Sequence, residues 1–430
     1  MSESVEIRPV AGPVSGRVRP PGSKSITNRA LVCAALARGS TRLTGALDSD
    51  DTQVMVGALK SLGFRLTHDA DACTVTIEGC GGRLPGTSGD LFIGNSGTTV
   101  RFLTAMLAAG RGEFRLHGTP RMHERPIQDL LEALTSLGVD VRSEAGTGCP
   151  PVVVRADGLS GGTAEVRSGK SSQFLSGLLM AAPYAKSPLT LVVPDALVSL
   201  PYITMTLEVM RSFGVPCHSD DLRSFPVPQG VYYGRDYAIE PDASAASYFF
   251  AAAAIAGGRV EVEGLTLDAL QGDIRFVEVL AQMGCQVEST AGGIAVVGGP
   301  LRGVDVDMNA ISDTVQTLAP VALFADGPTT VRGVPHIRHK ETDRIHAVAV
   351  ELRKFGAVVE EFDDGLRITP PARPHAANID TYDDHRMAMS FALAGLRIPG
   401  VVIRDPGCTR KTYPKFFQDL GRLTNTTYDV

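Results

Sequence analysis

The chain of 430 residues is too long for one ordinary hydrophobic core, so two domains are expected. Hydrophobic residues make up 43% and charged residues 20%, which is typical of a globular protein rather than a disordered one. The formal net charge of −6 argues against a nucleic-acid-binding protein and against a polybasic protein of the membrane surface. An acidic total still leaves room for a local cationic pocket.

The first residues, MSESVEIRPVAGP, contain no basic segment followed by an apolar run, so no signal peptide is predicted. The longest apolar run, SYFFAAAAIAGG, is too short to span a bilayer. The seven cysteines are scattered and form no CxxC pair, which favours reduced thiols. We therefore expect a cytoplasmic protein that makes no membrane contact.

The predicted elements repeat along the chain with a period of roughly seventy residues. Five segments combine an amphipathic helix, a glycine and a strand, as in RPIQDLLEALTSLGVDVRS. Each glycine is predicted to end its helix in the left-handed conformation. These glycines are Gly63, Gly138, Gly214, Gly284 and Gly356. A sixth helix, in KTYPKFFQDLGRL, closes the chain as a terminal copy.

A second series of predicted helices alternates with the first and is apolar almost all round, which indicates burial on every side. These helices begin in SITNRALVC, SGTTVRFLT, SSQFLSGLL, SAASYFFAA, SDTVQTLAP and DDHRMAMSF. The two series predict an α/β fold of six repeated units, three in each of two domains, with helices wrapped inside sheets. The break between the third and fourth units is predicted near YYGRDYAIEPDASAAS.

The predicted buried helices all begin with polar residues, among them Ser312-Asp313 in the fifth. Ser, Asn and Asp are ordinary N-cap residues, and for any single helix a cap is the simplest interpretation. If six N-termini point into one cleft, however, their N–H groups and partial positive charges converge there. Lys24, Arg29 and Arg386 lie on the same turns and add cations. This pattern predicts a binding site for phosphate and carboxylate groups.

Motifs for nucleotides and metals are incomplete. Ser23 precedes Lys24 where a Walker A motif has glycine, and Ala164 replaces the first glycine before SGKSS. No GxGxxG follows a predicted strand, the carboxylate pairs lack EF-hand spacing, and no histidine pair has metal-ligand spacing on a helix. We therefore expect no cofactor and no metal, and chemistry on a small anion.

Seven motifs in order resemble the 5-enolpyruvylshikimate-3-phosphate (EPSP) synthases of the enolpyruvyl transferase family. They are PGSKSITNRA, GNSGTTVRFL, PRMHERPI, SGKSSQFLSGLL, HKETDRI, DDHRMAMSFAL and DPGCTRKTYPKFF. The resemblance implies a two-domain inverse α/β barrel of six βαβαββ repeats, with the active site in the cleft between the domains. It also implies two chain crossings, so that residues 23–240 form one lobe and residues 1–22 join residues 241–430 in the other.

The resemblance implies transfer of the enolpyruvyl group of phosphoenolpyruvate to the 5-hydroxyl of shikimate 3-phosphate, in the shikimate pathway step before chorismate. A tetrahedral adduct would form and expel phosphate, and because a C–O bond breaks, no magnesium clamp is needed. Asp313 would accept the hydroxyl proton, and Glu341 or Lys24 would handle the proton at C3. We expect these two small molecules as partners of a monomer.

The resemblance also implies two sets of ligand contacts. The contacts to shikimate 3-phosphate would be Lys24, Ser25, Arg29, Ser171, Ser172, Gln173, Ser199, Asp313, His336 and Lys340. The contacts to phosphoenolpyruvate would be Lys24, Gly97, Arg125, Gln173, Arg344, Arg386 and Lys411. Some members have Asn in place of His336, whose charge would depend on pH. Lys170 is expected either to add charge at the phosphate or to point to solvent.

Simpler interpretations exist for single residues and for the whole chain. Taken alone, Asp313 fits an N-cap, Glu341 an exposed partner of Arg344, and Arg125 and Lys411 solvated surface charges. The sister UDP-N-acetylglucosamine enolpyruvyl transferase uses a loop cysteine as acid, which HGTPRMHERPI lacks. A P-loop kinase is disfavoured by the glycine spacing. A non-catalytic repeat scaffold would have no reason to gather cations and carboxylates at helix starts.

Overall fold

The computed structural model describes residues 3–430. The chain divides into two compact units. The first unit is Gly22–Ile239, and the second combines the residues up to Pro21 with Glu240–Val430. Each unit contains three small sheets and a central group of buried helices. The predicted α/β fold with six repeated sheets is therefore confirmed.

The helices and strands are named in chain order. The helices are α1 (Lys24–Leu36), α2 (Asp50–Ser61), α3 (Gly97–Ala108), α4 (Gln128–Ser136), α5 (Gln173–Ala181), α6 (Pro201–Ser212), α7 (Ala243–Ala256), α8 (Phe276–Met283), α9 (Val315–Ala322), α10 (Arg344–Lys354), α11 (His385–Ala392) and α12 (Phe416–Thr424). The strands up to the middle of the chain are β1 (Ser4–Ile7), β2 (Val14–Val18), β3 (Arg38–Thr44), β4 (Leu66–Asp69), β5 (Thr74–Cys80), β6 (Ser88–Phe92), β7 (Arg111–His117), β8 (Asp140–Ser143), β9 (Val152–Asp157), β10 (Gly162–Glu165) and β11 (Leu189–Val192). The remaining strands are β12 (Ser224–Val227), β13 (Asp236–Ala238), β14 (Gly258–Glu263), β15 (Gln286–Ser289), β16 (Gly293–Val297), β17 (Asp305–Asp307), β18 (Thr329–Arg332), β19 (Val358–Phe362), β20 (Gly365–Thr369), β21 (Asn378–Ile379) and β22 (Val401–Arg404).

The six sheets share one pattern, a parallel pair at one edge followed by antiparallel neighbours. In the first unit the orders are β13-β3-β5-β4, β6-β7-β9-β8 and β10-β11-β12. In the second unit they are β2-β14-β16-β15, β17-β18-β20-β19 and β21-β22-β1. The chain crosses between units after β2 and again after β13, so these two strands each complete a sheet that belongs to a distant segment.

Buried helices form the core of each unit, as their composition predicts. In α7, every residue from Ala243 to Ile255 is buried, and α1, α3, α5, α9 and α11 are buried along nearly their whole length. Small residues let these helices approach closely. A Cβ built on Gly177 of α5 would lie 3.1 Å from the Arg101 carbonyl oxygen of α3. The buried helices therefore pack directly against one another, as α3 does against α5.

The five repeat glycines all have positive φ, which confirms the prediction that they end their helices. Their φ values are 90° for Gly63, 82° for Gly138, 97° for Gly214, 116° for Gly284 and 90° for Gly356. The terminal copy, α12, ends instead at Asn425 with φ 50°. Asn is the other residue that adopts this conformation at low cost.

The predicted start of the fifth buried helix at Ser312-Asp313 is wrong. Asn309–Thr314 forms a 3₁₀ turn, and α9 begins only at Val315. Ile311 interrupts the helical geometry with φ −129° and ψ 36°, and the Thr314 hydroxyl donates to its carbonyl oxygen at 2.8 Å. Asp313 therefore projects from the turn before α9 and is not the N-cap of that helix.

Across residues 3–430, no helix is both long enough and apolar enough to cross a bilayer. The cysteines Cys33, Cys73, Cys80, Cys149, Cys217, Cys285 and Cys408 are all free thiols.

Candidate active site

A buried arginine, Arg29, lies at the centre of a polar cluster in the first unit. Ser23 caps α1 through its hydroxyl, and this places Lys24 and Ser25 on the first turn and Arg29 on the second. Arg29 is 1% exposed and donates to Thr206 Oγ1 at 2.8 Å and to the Ser25 carbonyl at 2.9 Å. We use the name Arg29 cluster for the site residues of the first unit, which are Lys24, Ser25, Arg29, Gly97, Arg101, Arg125, Ser171, Ser172, Gln173 and Ser199.

Arg29 carries a buried charge without a counter-charge. Its other guanidinium nitrogen donates to Ser176 Oγ and to the Tyr202 carbonyl, so neutral acceptors take four of its five N–H groups. Within the described part of the chain, no carboxylate forms an ion pair with it. Burial lowers the pKa of Arg29 to about 10, so the group stays cationic at neutral pH. Because an uncompensated buried charge is costly, this geometry favours binding of an anion.

The N-termini of α3 and α5 are joined by Arg101, a residue that the sequence analysis missed. Arg101 is 3% exposed and donates to Gln173 Oε1 at 2.7 Å and to Ser171 Oγ at 3.3 Å. The Gln173 amide donates in turn to Thr98 Oγ1 at 3.0 Å. The sequence feature that could have identified Arg101 is that it is the one charged residue of α3, four residues after Gly97. Arg101 therefore fixes the orientation of two predicted ligand contacts.

Arg125 is 4% exposed and is not a solvated surface charge. It donates to the carbonyl oxygen of Asn95 at 2.9 Å and to its amide oxygen at 3.3 Å. Its guanidinium packs directly over Gly97, where a Cβ would lie 2.5 Å from Nη2. A side chain at position 97 would displace Arg125.

If Arg125 binds phosphoenolpyruvate as the family resemblance implies, Gly97→Ala should weaken that binding while leaving the fold intact. The clash is with the end of a flexible side chain, so Arg125 should move rather than the backbone. We expect the KM for phosphoenolpyruvate to rise about tenfold, equivalent to about 1.4 kcal/mol, with little change in Tm. Gly57→Ala on α2 is the control, because nothing lies within 4 Å of a Cβ there. Equal KM values for the two variants would contradict the prediction.

The remaining members of the Arg29 cluster lie at helix starts or turns. Ser172 is the N-cap of α5 but makes no capping hydrogen bond with its side chain. Ser199 is 4% exposed and has a left-handed backbone with φ 53°.

Lys170 is half exposed and pairs with Asp129 at 3.7 Å. Of the two expectations for Lys170, the solvent-facing one fits the structure.

A second polar cluster lies in the second unit around Arg344, the first residue of α10. Arg344 is 1% exposed and contacts three carboxylates: Nε to Asp384 at 2.8 Å, Nη2 to Glu341 at 2.8 Å and Nη1 to Asp313 at 3.1 Å. Burial alone would lower the pKa of Arg344, but the carboxylates, Asp384 foremost, raise it above its ordinary value. Arg344 is therefore a permanent cation that orders its acidic neighbours. We call Asp313, His336, Lys340, Glu341, Arg344, Asp384, Arg386 and Lys411 the Arg344 cluster.

The two acid–base candidates each contact further cations. Arg386 Nη2 pairs with Asp313 at 2.8 Å, and Lys340 Nζ lies 3.9 Å from the same carboxylate. Lys411 Nζ pairs with Glu341 at 3.1 Å. Glu341 and Lys411 are both largely buried, with side chains 7% and 12% exposed, so neither is a solvated surface charge. The cluster therefore holds four cations among its carboxylates, and such cations can also bind an anionic ligand.

Asp384 and His385 begin α11. Asp384 is fully buried and caps the helix by accepting from the Arg386 backbone N–H at 2.9 Å. His385 is also fully buried, with Nδ1 3.5 Å from Asp384 Oδ1. Asp384 thus serves both as the cap of α11 and as the partner of Arg344.

His336 differs from the expectation of a pH-dependent charge. It is 3% exposed, and its Nε2 lies 3.0 Å from Ser312 Oγ. Burial, with Lys340 nearby, lowers the pKa of His336 to about 3. The imidazole is therefore neutral at physiological pH and acts as a neutral hydrogen-bonding group.

Asp273 is a buried carboxylate close to the Arg344 cluster. It is 4% exposed and accepts a hydrogen bond from Ser244 in the first turn of α7. Burial, followed by the charge of Asp313, raises the pKa of Asp273 to about 6. Since this folded-state pKa exceeds that of an unfolded aspartate, ionisation of Asp273 destabilises the fold progressively as the pH rises through 6.

Asp273→Asn should therefore stabilise the protein in a pH-dependent manner. We expect a gain in the free energy of unfolding of about 3 kcal/mol at pH 8, falling to roughly half at pH 5. Urea unfolding at both pH values measures this gain, with the exposed Asp71→Asn as control. If the change in the free energy of unfolding is the same at both pH values, Asp273 has an ordinary pKa and the prediction is wrong.

Part of the predicted set is in direct contact through a shared arginine: Ser171 and Gln173 share Arg101 in the first unit, and Asp313 and Glu341 share Arg344 in the second. Over the described residues, no group of three His, Cys, Asp or Glu side chains is arranged to hold a metal ion.

Comparisons with known proteins cover nearly the whole chain. A family model described as EPSP synthase (3-phosphoshikimate 1-carboxyvinyltransferase) matches residues 10–420. A 3-phosphoshikimate 1-carboxyvinyltransferase of Marinomonas sp. (strain MWYL1) is 48% identical over 419 residues, covering 96% of this chain and 99% of that protein. The protein of the same name from Nostoc punctiforme (strain ATCC 29133 / PCC 73102) is 49% identical over 418 residues, covering 96% and 98%. A solved EPSP synthase from Acinetobacter baumannii is similar with a TM-score of 0.83 at 26% identity, covering 100% of this chain and 99% of that one.

Proposed function

The chain belongs to the EPSP synthase family, and from this premise we propose how its two clusters perform the family reaction. The protein is a 3-phosphoshikimate 1-carboxyvinyltransferase, a transferase of the shikimate pathway to aromatic compounds. It transfers the enolpyruvyl group of phosphoenolpyruvate to the 5-hydroxyl of shikimate 3-phosphate by addition and elimination, and releases phosphate. The observation that carries this conclusion is the similarity to curated enzymes over nearly the whole chain.

The charges of the two clusters suit these substrates. Each substrate carries a phosphate and a carboxylate, so binding requires several cations in dry surroundings. The Arg29 cluster offers Lys24, Arg29 and Arg125, and the Arg344 cluster offers Lys340, Arg344, Arg386 and Lys411. The serines and Gln173 supply neutral hydrogen bonds that orient hydroxyl and phosphate oxygens. We assign to the two substrates the contact residues that the family resemblance implies.

Asp313 is the proposed acceptor of the 5-hydroxyl proton. Its carboxylate is held by Arg344 at 3.1 Å and by Arg386 at 2.8 Å. The carboxylate of phosphoenolpyruvate would compete for the same guanidinium groups. Binding of phosphoenolpyruvate would therefore free oxygen lone pairs on Asp313 to accept the proton of the 5-hydroxyl. Substrate binding and activation of the base would be coupled in this way.

Glu341 and Lys24 are the proposed groups for the C3 proton. Lys411 lies 3.1 Å from Glu341 Oε1, and Arg344 holds Oε2 at 2.8 Å. The amino group and the carboxylate are thus close enough to exchange a proton directly. Lys24 is the alternative donor from the first turn of α1.

We also propose that the protein acts in the cytoplasm as a monomer, with no cofactor, nucleic acid or membrane involved. The free thiols are compatible with a reducing compartment. Size-exclusion chromatography with light scattering would test the monomer, and a stable dimer would refute it.

Release of phosphate tests the proposed reaction. The protein is mixed with shikimate 3-phosphate and phosphoenolpyruvate in the presence of a chelator, and phosphate is measured. We expect turnover that requires both substrates. If turnover instead requires UDP-N-acetylglucosamine, or ATP in place of phosphoenolpyruvate, then the sister transferase or a kinase is the correct assignment.

A further inference from the structure

A buried carboxylate outside both clusters, Glu351, lies on α10 two turns after Arg344. Its side chain is fully buried. Oε1 accepts a hydrogen bond from the Tyr382 hydroxyl at 2.6 Å, and Oε2 accepts from the Asp380 backbone N–H at 3.1 Å. Lys354 Nζ lies 2.7 Å from Oε2. Glu351 therefore fastens residues 380–382 to α10.

The segment that Glu351 holds has an unfavourable backbone conformation. Tyr382 and Asp383 both have positive φ, 55° and 53°. The Asp384 backbone N–H closes the turn by donating to the Thr381 carbonyl at 2.8 Å. Non-glycine residues in the left-handed region persist only where the surroundings hold them there. The bonds from Tyr382 and Asp380 to Glu351 supply such a restraint.

The turn leads directly into two residues of the Arg344 cluster. Asp384 caps α11 and binds Arg344, and Arg386 pairs with Asp313 at 2.8 Å. The segment is thus tied to α10 at two points, through Arg344 with Asp384 and through Glu351 with Tyr382. The two points are about 10 Å apart along the helix. Their spacing fixes how α11 begins relative to α10.

Lys354 links the buried Glu351 to charged side chains that are more exposed. Its ammonium group also lies 2.7 Å from Asp380 Oδ2, and Arg404 lies 2.9 Å from Asp380 Oδ1. A buried carboxylate is a costly way to stabilise a helix contact, and apolar packing is often at least as stabilising. Directional hydrogen bonds, in contrast, can hold one particular turn geometry.

We propose that Glu351 and Tyr382 are positioning residues, which hold the 380–383 turn so that Arg344 and Arg386 are oriented for phosphoenolpyruvate. This rests on the proposed function, because it concerns the residues assigned to that substrate. Neither Glu351 nor Tyr382 needs to touch a ligand. Their loss should affect phosphoenolpyruvate more than shikimate 3-phosphate, because Arg344 and Arg386 are both assigned to phosphoenolpyruvate and neither is assigned to shikimate 3-phosphate.

Tyr382→Phe is the sharpest variant, because it removes one hydroxyl from a ring that is 39% exposed and changes little packing. We expect the KM for phosphoenolpyruvate to rise about fivefold or more, while the KM for shikimate 3-phosphate stays within about twofold. The matched control is Tyr184→Phe in the first unit, whose hydroxyl donates to the Leu36 carbonyl at the same 2.6 Å. A smaller rise for phosphoenolpyruvate, or a parallel rise for both substrates, would overturn the proposal.

Glu351→Gln and Glu351→Ala extend the test. Gln can accept from Asp380 and donate to the tyrosine oxygen, so it should recover most of the affinity that Ala loses. If Glu351→Ala does not fold, Tyr382→Phe still decides the question. Equal KM values for phosphoenolpyruvate in the Gln and Ala variants would refute the role of Glu351.

Hydrogen exchange separates a failure of this inference from a failure of the proposed function. In Tyr382→Phe, the backbone amides of residues 384–388 should exchange about tenfold faster than in the wild type, and Tyr184→Phe should leave them unchanged. Unchanged exchange in Tyr382→Phe would refute the anchoring role even if the wild type is active. Absence of phosphate release by the wild type would instead refute the proposed function.

Discussion

Asp313→Asn is expected to lower kcat about 10²- to 10⁴-fold, the range that a general base contributes. The amide keeps the shape of the carboxylate but is not basic. Arg344 and Arg386 would lose a neighbouring negative charge, at 3.1 Å and 2.8 Å, and so become more attractive to an anion. The KM for phosphoenolpyruvate should therefore fall or stay constant while kcat drops. Steady-state kinetics with both substrates measures this separation.

The direction of the KM change distinguishes two roles for Asp313. If Asp313 serves only to hold the two arginines in place, its loss should raise the KM for phosphoenolpyruvate and leave kcat near the wild-type value. Asp305→Asn is the control, because Asp305 pairs with Arg332 at 2.8 Å on the exposed surface of the same unit. A normal kcat in Asp313→Asn would remove this residue from the proton-transfer step.

Local patterns in the sequence predict much of the fold because each repeat carries its own signals. The left-handed glycines at Gly63 and Gly284 end helices whose apolar spacing is visible in one stretch of chain. The almost continuously apolar composition of α7 predicts its burial without any knowledge of its neighbours. Such features depend on residues that are close in sequence.

Features that depend on distant residues could not be predicted in this way. Arg101 is recognisable as a site residue only once α3 and α5 lie together, since Gln173 is 72 positions away. The turn at Asn309–Thr314 reads as the start of a helix until the non-helical Ile311 is seen. The neutral state of His336 follows from burial that the sequence does not display.

Some contacts of the proposed site residues also could not be predicted from the sequence. In the structure Arg344 contacts Asp313, Glu341 and Asp384. The pairing of Arg344 with Asp384 joins residues 40 positions apart and leaves no trace in local spacing. Arg344 therefore contributes to stability as well as to the proposed binding of phosphoenolpyruvate.

Arg344→Met is expected to lower the free energy of unfolding by about 3–5 kcal/mol, the cost of removing one partner from a buried ion pair. The change leaves Asp384, which is fully buried, and Glu341, which is 8% exposed, without their shared guanidinium group. Arg344→Lys should recover only part of the loss, because an ammonium group cannot reproduce the planar fork. The exposed Arg332→Met is the control and should cost about 1 kcal/mol or less.

In Arg344→Met, the loss in the free energy of unfolding should depend on the pH and on Asp384, because buried carboxylates are left without their guanidinium partner. Without the guanidinium, burial favours the protonated acids, so their folded-state pKa values rise and the destabilisation should be smaller at pH 5.5 than at pH 8. Adding Asp384→Asn should restore part of the lost stability, because it removes one buried charge that has lost its partner. Urea unfolding of the single and double variants at both pH values measures these differences. A double variant that is less stable than Arg344→Met by the full cost of Asp384→Asn alone would show that the two side chains are not coupled.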